Sequence, residues 1–228
     1  MKKIVLALAI LSSMIACKKE VKEMPPVDTT VAMKVKDTIA IDYSKFGIDS
    51  TTIPKGLVVG EKAPDVTFTT ADHKKVSLQE YYKKQPVVII FYRGYWCPVC
   101  NKQLTEFAEK AKEIEAKGAK LIAISSESYE NVAKTKDKTG ANFTIISDGD
   151  ESIMKAFGVD FKVTDAYQAA VKEHLGVSIA ESNATKEAVL PVPATYIIDK
   201  DGKIVYKQFD PNYQVRASVE DIVAHLPR

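Results

Sequence analysis

The chain has 228 residues, of which 46% are hydrophobic and 27% are charged. These proportions are typical of an ordinary globular protein with one good-sized core. The formal net charge of +2 is too small to indicate a nucleic-acid partner, and three cysteines are too few to build a disulfide framework.

The N-terminus has the features of an export signal. Two lysines precede an apolar stretch at 4–16, which is shorter than the roughly 20 apolar residues of a membrane-spanning helix. Cys17 directly follows Ala16, and this junction resembles a bacterial lipoprotein signal, in which the cysteine carries the lipid. A plain signal peptide with a chance cysteine is the alternative. We expect residues 1–17 to be a lipoprotein-type signal peptide and the mature protein to be exported, anchored to a membrane and facing the periplasm.

The next segment, 18–55, is predicted to be a tether. It is rich in Lys, Asp, Thr and Pro and has no sustained helical period, so it cannot bury enough apolar surface to offset the entropy of ordering. Whether the piece 39–46 docks on the following domain stays open at this point. The domain itself is predicted to span 56–228.

Strand and helix patterns alternate through the first part of this domain. Continuous apolar runs at 87–92, 121–124 and 143–146 predict buried strands. An apolar stripe over 104–114 predicts a helix that ends near Gly118, and polar or short helices are predicted at 128–139 and 152–157. The segment 161–191 contains a helix-like piece but breaks the alternation, so we expect an insertion there.

The C-terminal part predicts a β-hairpin and a helix. Apolar runs at 195–198 and 204–209 flank a D-K-D-G turn, and a helix follows from Ser218, its expected N-cap. Together the patterns predict an α/β fold. Its central mixed β-sheet is flanked by helices, with an insertion before the last β-hairpin.

The sequence Cys97-Pro98-Val99-Cys100 is expected to carry the chemistry. It stands between a predicted strand and a predicted helix, where Pro98 suits the first helical turn. Residues three apart lie on one helix face, so the two sulfurs can approach each other. Unpaired N–H groups at the helix start favour a thiolate, and Arg93 adds positive charge.

Two bland explanations of this motif are weaker. Half of a metal site would need a second cysteine pair or a histidine cluster, whereas His73, His174 and His225 are scattered, so no metal is predicted. A structural disulfide would close so short a loop that it would constrain the unfolded chain little.

The run FYRGYWCPVCNKQL resembles the active-site segment of the AhpC/TSA and redoxin group, the peroxiredoxin-like branch of the thioredoxin superfamily. VGEKAPDVTF, LPVPATYIIDKDG and FDPNYQVRASVEDI resemble further segments of this group in the same order. The resemblance covers about 58–226. It implies a thioredoxin-like fold and thiol redox chemistry without a cofactor.

The resemblance leaves the division of labour between the two cysteines open. On the peroxiredoxin motif P-x-x-x-T-x-x-C, Cys100 takes the place of the peroxide-attacking cysteine, Cys97 that of the Thr and Arg93 that of the Pro. On the thioredoxin motif W-C-x-x-C, Trp96 precedes the attacking Cys97. Pro193 then stands where thioredoxins carry a cis-proline and where peroxiredoxins carry an arginine, and we expect a cis bond there.

Three functions follow as alternatives. The first is a thiol peroxidase that reduces hydroperoxides through a Cys97/Cys100 dithiol–disulfide cycle and is restored by a thiol reductant such as a thioredoxin-like protein. The second is a thiol–disulfide oxidoreductase acting on protein disulfides, with Cys97 as nucleophile. The third, a non-catalytic binding module, is disfavoured by the presence of both cysteines.

Overall fold

The computed structural model describes residues 41–70 and 74–227. Within these ranges a short 3-10 helix at Tyr43–Phe46 is followed, in chain order, by β1 (Thr67–Thr69), β2 (Lys75–Ser77), α1 (Leu78–Tyr82), β3 (Val87–Phe91), α2 (Pro98–Ala116), β4 (Lys120–Ser125), α3 (Tyr129–Thr139), β5 (Thr144–Ser147), α4 (Ser152–Phe157), β6 (Asp160–Lys162), α5 (Asp165–Leu175), α6 (Ile179–Ser182), β7 (Val189–Pro191), β8 (Ala194–Ile198), β9 (Ile204–Phe209) and α7 (Val219–His225).

The centre of the domain is a five-stranded mixed sheet with strand order β5-β4-β3-β8-β9. β3, β4 and β5 run parallel to one another, and β8 pairs antiparallel with both β3 and β9. The predicted hairpin is therefore present as β8 and β9, with a turn in which the Asp199 carboxylate accepts the N–H groups of Asp201 and Lys203. The expectation of a mixed central sheet is confirmed.

Both faces of the sheet are covered, as the continuous apolar runs predicted. Alternate residues of β3 face opposite layers because side chains alternate along a strand. Val88 and Ile90 belong to the core that includes Leu104 and Phe107 of α2. The other layer is built from Val87, Ile89 and Phe91 together with Leu78 of α1 and Phe157 of α4. β3, at the middle of the sheet, thus leads directly from the core to the cysteine motif.

The segment 161–191 is an insertion in the structure too. β6 and β7 form a separate two-stranded antiparallel sheet, and α5 and α6 lie between them in sequence. α5 begins after Thr164 and ends at Gly176, which adopts a left-handed conformation with φ of 68°. No helix in the described ranges is long and apolar enough to cross a membrane.

The compact domain begins earlier than Gly56. Its contacts extend back to Ile41, and Phe46 and Ile48 are buried. The Gly47 carbonyl accepts the N–H of Thr164, which ties this segment to the insertion. The part of the predicted tether at 41–55 is therefore part of the fold, because two large apolar side chains are enough to anchor it. The predicted signal peptide and the tether residues before 41 lie outside the described residues.

The prediction of a cis bond at Pro193 is wrong, since none of the described peptide bonds is cis. The chain between β7 and β8 continues an extended course, and the N–H of Val192 donates to the Val159 carbonyl at 2.7 Å. A residue before proline favours such an extended conformation, and the trans form is the intrinsically preferred one. Pro193 is buried at the start of β8.

Candidate active site

The two cysteines occupy the start of α2. Cys97 is the N-cap residue, with φ of −87° and ψ of 108°, and Pro98 is the first helical residue. The N–H of Cys100 donates to the Cys97 sulfur at 3.4 Å, and the two sulfurs are 2.8 Å apart as free thiols. Neither side chain is exposed to solvent. The motif thus holds both sulfurs ready to form a disulfide, inside a closed pocket.

Each sulfur has a different set of positive partners. Arg93 Nη2 donates to the Cys97 sulfur at 3.3 Å, while the backbone N–H of Arg93 donates to the Cys100 sulfur at 3.4 Å. Arg216 Nη2 donates to the Cys100 sulfur at 3.4 Å. Hydrogen bonds from charged donors stabilise a thiolate more than neutral ones do. Cys100 receives its donors from two sides.

These partners separate the pKa values of the two thiols. Burial raises the pKa of Cys97 well above its ordinary value, and the adjacent Cys100 sulfur raises it further despite Arg93. Burial also raises the pKa of Cys100, but the hydrogen bond from Cys97, the charges of Arg216 and Arg93 and the Arg93 N–H outweigh that effect. The pKa of Cys100 therefore lies well below its ordinary value, and Cys100 carries the thiolate.

Aromatic side chains hold Arg93 over the sulfurs. Its guanidinium carbon lies 3.6 Å from the centre of the Tyr213 ring and 5.2 Å from that of the Trp96 ring. Arg93 Nη1 donates to the Tyr167 hydroxyl at 2.8 Å. Burial lowers the pKa of Arg93, but the Cys97 and Cys100 sulfurs raise it more, so the group remains cationic. Arg93 is thus fixed between the cysteines and the aromatic wall.

Glu127 is a buried carboxyl group behind the cysteine loop. It follows β4 and is fully shielded from solvent. One of its oxygens accepts the N–H of Tyr95 at 2.7 Å, and the other accepts the Thr135 hydroxyl at 2.9 Å. Burial raises the pKa of Glu127 to about 7, and the Cys100 sulfur contributes in the same direction. This carboxyl group fixes the backbone just before the motif and titrates near neutral pH.

An apolar cavity of about 330 Å³ adjoins the site on its outer side. Arg93, Pro98 and Val99 form its inner wall, and α5 supplies much of the remainder. Its size is at the lower end of the range of small-molecule sites. A compound that reaches the sulfurs past Arg93 can place an apolar group here.

The model of the AhpC/TSA family matches residues 59–207, which include every strand of the central sheet and the cysteine motif. The chain belongs to the AhpC/TSA family. A Mycobacterium tuberculosis protein whose name places it among the peroxiredoxins is 30% identical over 154 residues, 68% of this chain and 86% of that protein.

Solved structures with the same fold come from the same family. Bacterioferritin comigratory protein of Xanthomonas campestris, described for its alkyl peroxide reduction activity, is 19% identical with a TM-score of 0.55, over 75% of this chain and 96% of that one. Reduced Prx3 of Vibrio vulnificus, solved in complex with hydrogen peroxide, is 17% identical with a TM-score of 0.59, over 74% and 97%. At these identities the likeness shows the fold, which is the thioredoxin-like fold expected from the sequence.

Most predicted site residues of this AhpC/TSA protein are brought together. Arg93, Trp96, Cys97 and Cys100 form one contact network, and Pro98 begins the helix beside it. Pro193 precedes the β8 residue that pairs with the last residue of β3, but it lacks the predicted cis bond. Cys17, the predicted lipid anchor, lies outside the described residues.

Sequence reasoning missed the groups that reach the site from distant segments. Arg216 and Tyr213 follow β9, Tyr167 lies on α5, and Glu127 follows β4. One compositional signal points to Arg216: only three of the 32 basic residues are arginines, and Arg93 and Arg216 are two of them. A chain that uses lysine almost everywhere else carries arginine where a planar group of donors meets a sulfur.

Proposed function

We propose that the protein is a thiol peroxidase in which Cys100 attacks the peroxide and Cys97 resolves the product. The observation that carries this assignment is the unequal surroundings of the two sulfurs. Cys100 receives N–H donors from Arg93 and Arg216, whereas Cys97 serves as a donor to it. A low pKa gives Cys100 the thiolate character that peroxide reduction needs.

The reaction balances with these two groups and an external dithiol. The Cys100 thiolate attacks one oxygen of the hydroperoxide, the O–O bond breaks, and the departing oxygen takes up a proton and leaves as an alcohol or as water. Cys100 becomes a sulfenic acid. The Cys97 sulfur then attacks the Cys100 sulfur, the Cys97 proton goes to the departing hydroxide, and a disulfide and water form. The sulfur–sulfur distance of 2.8 Å means that this step needs little movement.

The alternative function, exchange with protein disulfides through Cys97, fits the site less well. Such an enzyme needs an accessible thiolate at the first cysteine of the motif. Here the Cys97 side chain is fully buried, and its pKa is raised by burial and by the neighbouring Cys100 sulfur. A protein disulfide would need a far larger opening of the site than a small hydroperoxide does.

The surroundings of the site support organic hydroperoxides as substrates beside hydrogen peroxide. The apolar cavity at Arg93 has room for an alkyl group. The similar Xanthomonas campestris protein is described as reducing alkyl peroxides. A thiol reductant, such as a thioredoxin-like protein, then returns the Cys97–Cys100 disulfide to the dithiol. We also propose that the protein works outside the cytoplasm on a lipid anchor at Cys17, on the basis of its N-terminal sequence alone.

Consumption of hydrogen peroxide with a general dithiol reductant tests the function. The wild-type protein is expected to turn over, and Cys100→Ser is expected to lose the reaction. Cys17→Ser is the matched control, because it removes the third cysteine and leaves the motif intact. Equal rates for Cys100→Ser and the wild type would refute the assignment, and a wild type that reduces protein disulfides but not peroxide would favour the alternative.

A further inference from the structure

Arg216 enters the active site from a part of the chain that the cysteine motif does not touch in sequence. It lies between β9 and α7, 116 positions after Cys100, and its Nη2 is 3.4 Å from the Cys100 sulfur. The family resemblance gives no reason to expect it there, because the position where peroxiredoxins carry their arginine holds Pro193. The guanidinium of Arg93, the other arginine of the site, hydrogen-bonds to Cys97 instead.

We propose that Arg216 is the catalytic arginine of this site, holding Cys100 as the reactive thiolate by direct contact. The assignment rests on the proposed function of Cys100 as the peroxide-attacking sulfur. The arginine comes from the segment after β9 rather than from the start of β8. The same task is therefore performed by a residue at a different place in the chain.

Every edge of the Arg216 guanidinium is engaged, which fixes its direction. Nε donates to the Tyr213 carbonyl at 2.6 Å, and Nη1 donates to Gln103 Oε1 at 2.7 Å. The remaining donor, Nη2, points at the Cys100 sulfur. A planar group held at two edges delivers its third donor without further ordering, which a lysine ammonium on a flexible stem cannot do.

Gln103 is the positioning residue in this arrangement. It lies three residues after Cys100 on α2, so both side chains occupy the same face of the helix. Its side chain is buried, and its Nε2 donates to the Ala217 carbonyl at 3.5 Å, next to Arg216 in sequence. Gln103 thus joins the helix that carries the reacting sulfur to the segment that carries the arginine.

The other groups around the sulfur are accounted for. On the motif itself, the Cys97 thiol contacts Cys100, and the Arg93 guanidinium acts through its charge. Glu127, behind the loop, interacts unfavourably with a Cys100 thiolate when ionised, as does the Tyr92 hydroxyl, which burial and Glu127 keep protonated. Arg216 is the charged side chain that hydrogen-bonds to Cys100 from outside the motif.

The test is the pH dependence of Cys100 alkylation by iodoacetamide, followed by mass spectrometry. The full chain with Cys97→Ser is the parent, so that Cys100 is the only thiol in its peptide. In this background we expect Arg216→Gln to raise the midpoint of thiolate formation by about 1–2 pH units, the usual effect of an opposite charge at this distance. Arg216→Lys and Gln103→Leu are expected to raise it by less.

Lys102→Gln is the matched control for charge. It removes a positive charge two residues from Cys100, but its side chain is 79% exposed and pairs with Glu106. We expect its midpoint to equal that of the parent. A midpoint for Arg216→Gln equal to that of the parent contradicts the proposal. If Arg216→Gln does not fold, unchanged midpoints for both Arg216→Lys and Gln103→Leu contradict it equally.

The measurement separates this proposal from the proposed function because alkylation involves no peroxide. Addition of hydrogen peroxide to the same parent, with detection of the Cys100 sulfenic acid, reports on the function. A parent that does not react with peroxide but shows the shifted midpoints refutes the peroxidase and retains Arg216 as the group that ionises Cys100. A parent that reacts with peroxide, together with unshifted midpoints, refutes only the role of Arg216.

Discussion

Cys97 and Cys100 are three residues apart on the same helical turn, yet their sulfurs have opposite properties. The difference arises from where the donors point: Arg93 directs its backbone N–H at Cys100 and its side chain at Cys97, while Arg216 reaches Cys100 alone. In a buried pair, only one sulfur can ionise readily, because a second negative charge would be repelled by the first. The protein thereby selects its nucleophile.

The residues of the motif could be predicted from the sequence, whereas their distant partners could not. Strand, helix and Cys-Pro-Val-Cys spacing place Cys97, Cys100 and Arg93 together through local geometry. Arg216 and Glu127 reach the site only because β9 and β4 end near it, which depends on strand order. No local period records such a contact, and a single arginine in a loop looks like any other surface cation.

Glu127 provides a prediction about stability and pH. Its pKa is raised from an ordinary value of 4.5 to about 7. Between these pH values the folded chain keeps a proton that the unfolded chain releases, so the free energy of unfolding falls as the pH rises and is constant above about 7. Glu127→Gln is expected to unfold less readily than the wild type above pH 7, by up to about 3 kcal/mol.

Chemical denaturation at a series of pH values measures this effect. A glutamine can still accept the Tyr95 N–H and can donate to the Thr135 hydroxyl, so the variant preserves the contacts. Burial also raises the pKa of Asp148, to about 6, and Asp148 remains in both proteins, so the difference between the two curves isolates Glu127. Parallel curves for the two proteins between pH 4.5 and 7 would show that Glu127 is ionised in the folded state.

The longer elements follow from the sequence because their patterns repeat. β3, β4, β5 and α2 each present an apolar run or stripe that identifies the element and its buried side. β1 and β2 have only three residues each, too few to establish an alternation, and they were not predicted. The early docking segment was also undecided, because its two buried side chains lie outside any regular element longer than a turn.

That docking segment gives a prediction at the scale of an element. Ile48 is 1% exposed, whereas Ile41, a few residues earlier, is 55% exposed. Removing a buried isoleucine side chain leaves a cavity, so Ile48→Ala is expected to lower the free energy of unfolding by about 2–4 kcal/mol. Ile41→Ala is the control and is expected to change it by less than about 0.5 kcal/mol. Equal effects in thermal or denaturant unfolding would mean that the segment is not part of the core.

The insertion helix α5 gives a prediction about substrate preference. Ala170 lines the apolar cavity, whereas its neighbour Ala169 is exposed and does not. A phenylalanine at position 170 would occupy the cavity, so Ala170→Phe is expected to slow reaction with a bulky organic hydroperoxide at least about threefold, since excluding an apolar group costs about 1 kcal/mol or more. Reaction with hydrogen peroxide is expected to stay the same.

Ala169→Phe adds the same ring outside the cavity and is expected to leave both rates unchanged. Stopped-flow rates with the two peroxides for each variant measure the ratio. An unchanged ratio in a folded Ala170→Phe protein would show that the cavity does not receive the substrate.

At the scale of the whole molecule, the predicted lipid anchor decides where the chemistry takes place. If Cys17 carries a lipid, Cys17→Ala is expected to leave the protein unprocessed or to release it from the membrane fraction. Fractionation and intact-mass measurement of both forms provide the test. A Cys17→Ala protein that matures normally and stays with the membrane would exclude this anchor.

The whole account depends on which sulfur reacts with peroxide. Trapping of sulfenic acid with a dimedone-type reagent, followed by peptide mapping in Cys97→Ser and in Cys100→Ser, measures this directly. We expect peroxide to label Cys100 in Cys97→Ser and to leave Cys97 unlabelled in Cys100→Ser, because only Cys100 has both arginine donors and a lowered pKa. Ready labelling of Cys97 in Cys100→Ser, with Cys100 inert in Cys97→Ser, would contradict the account.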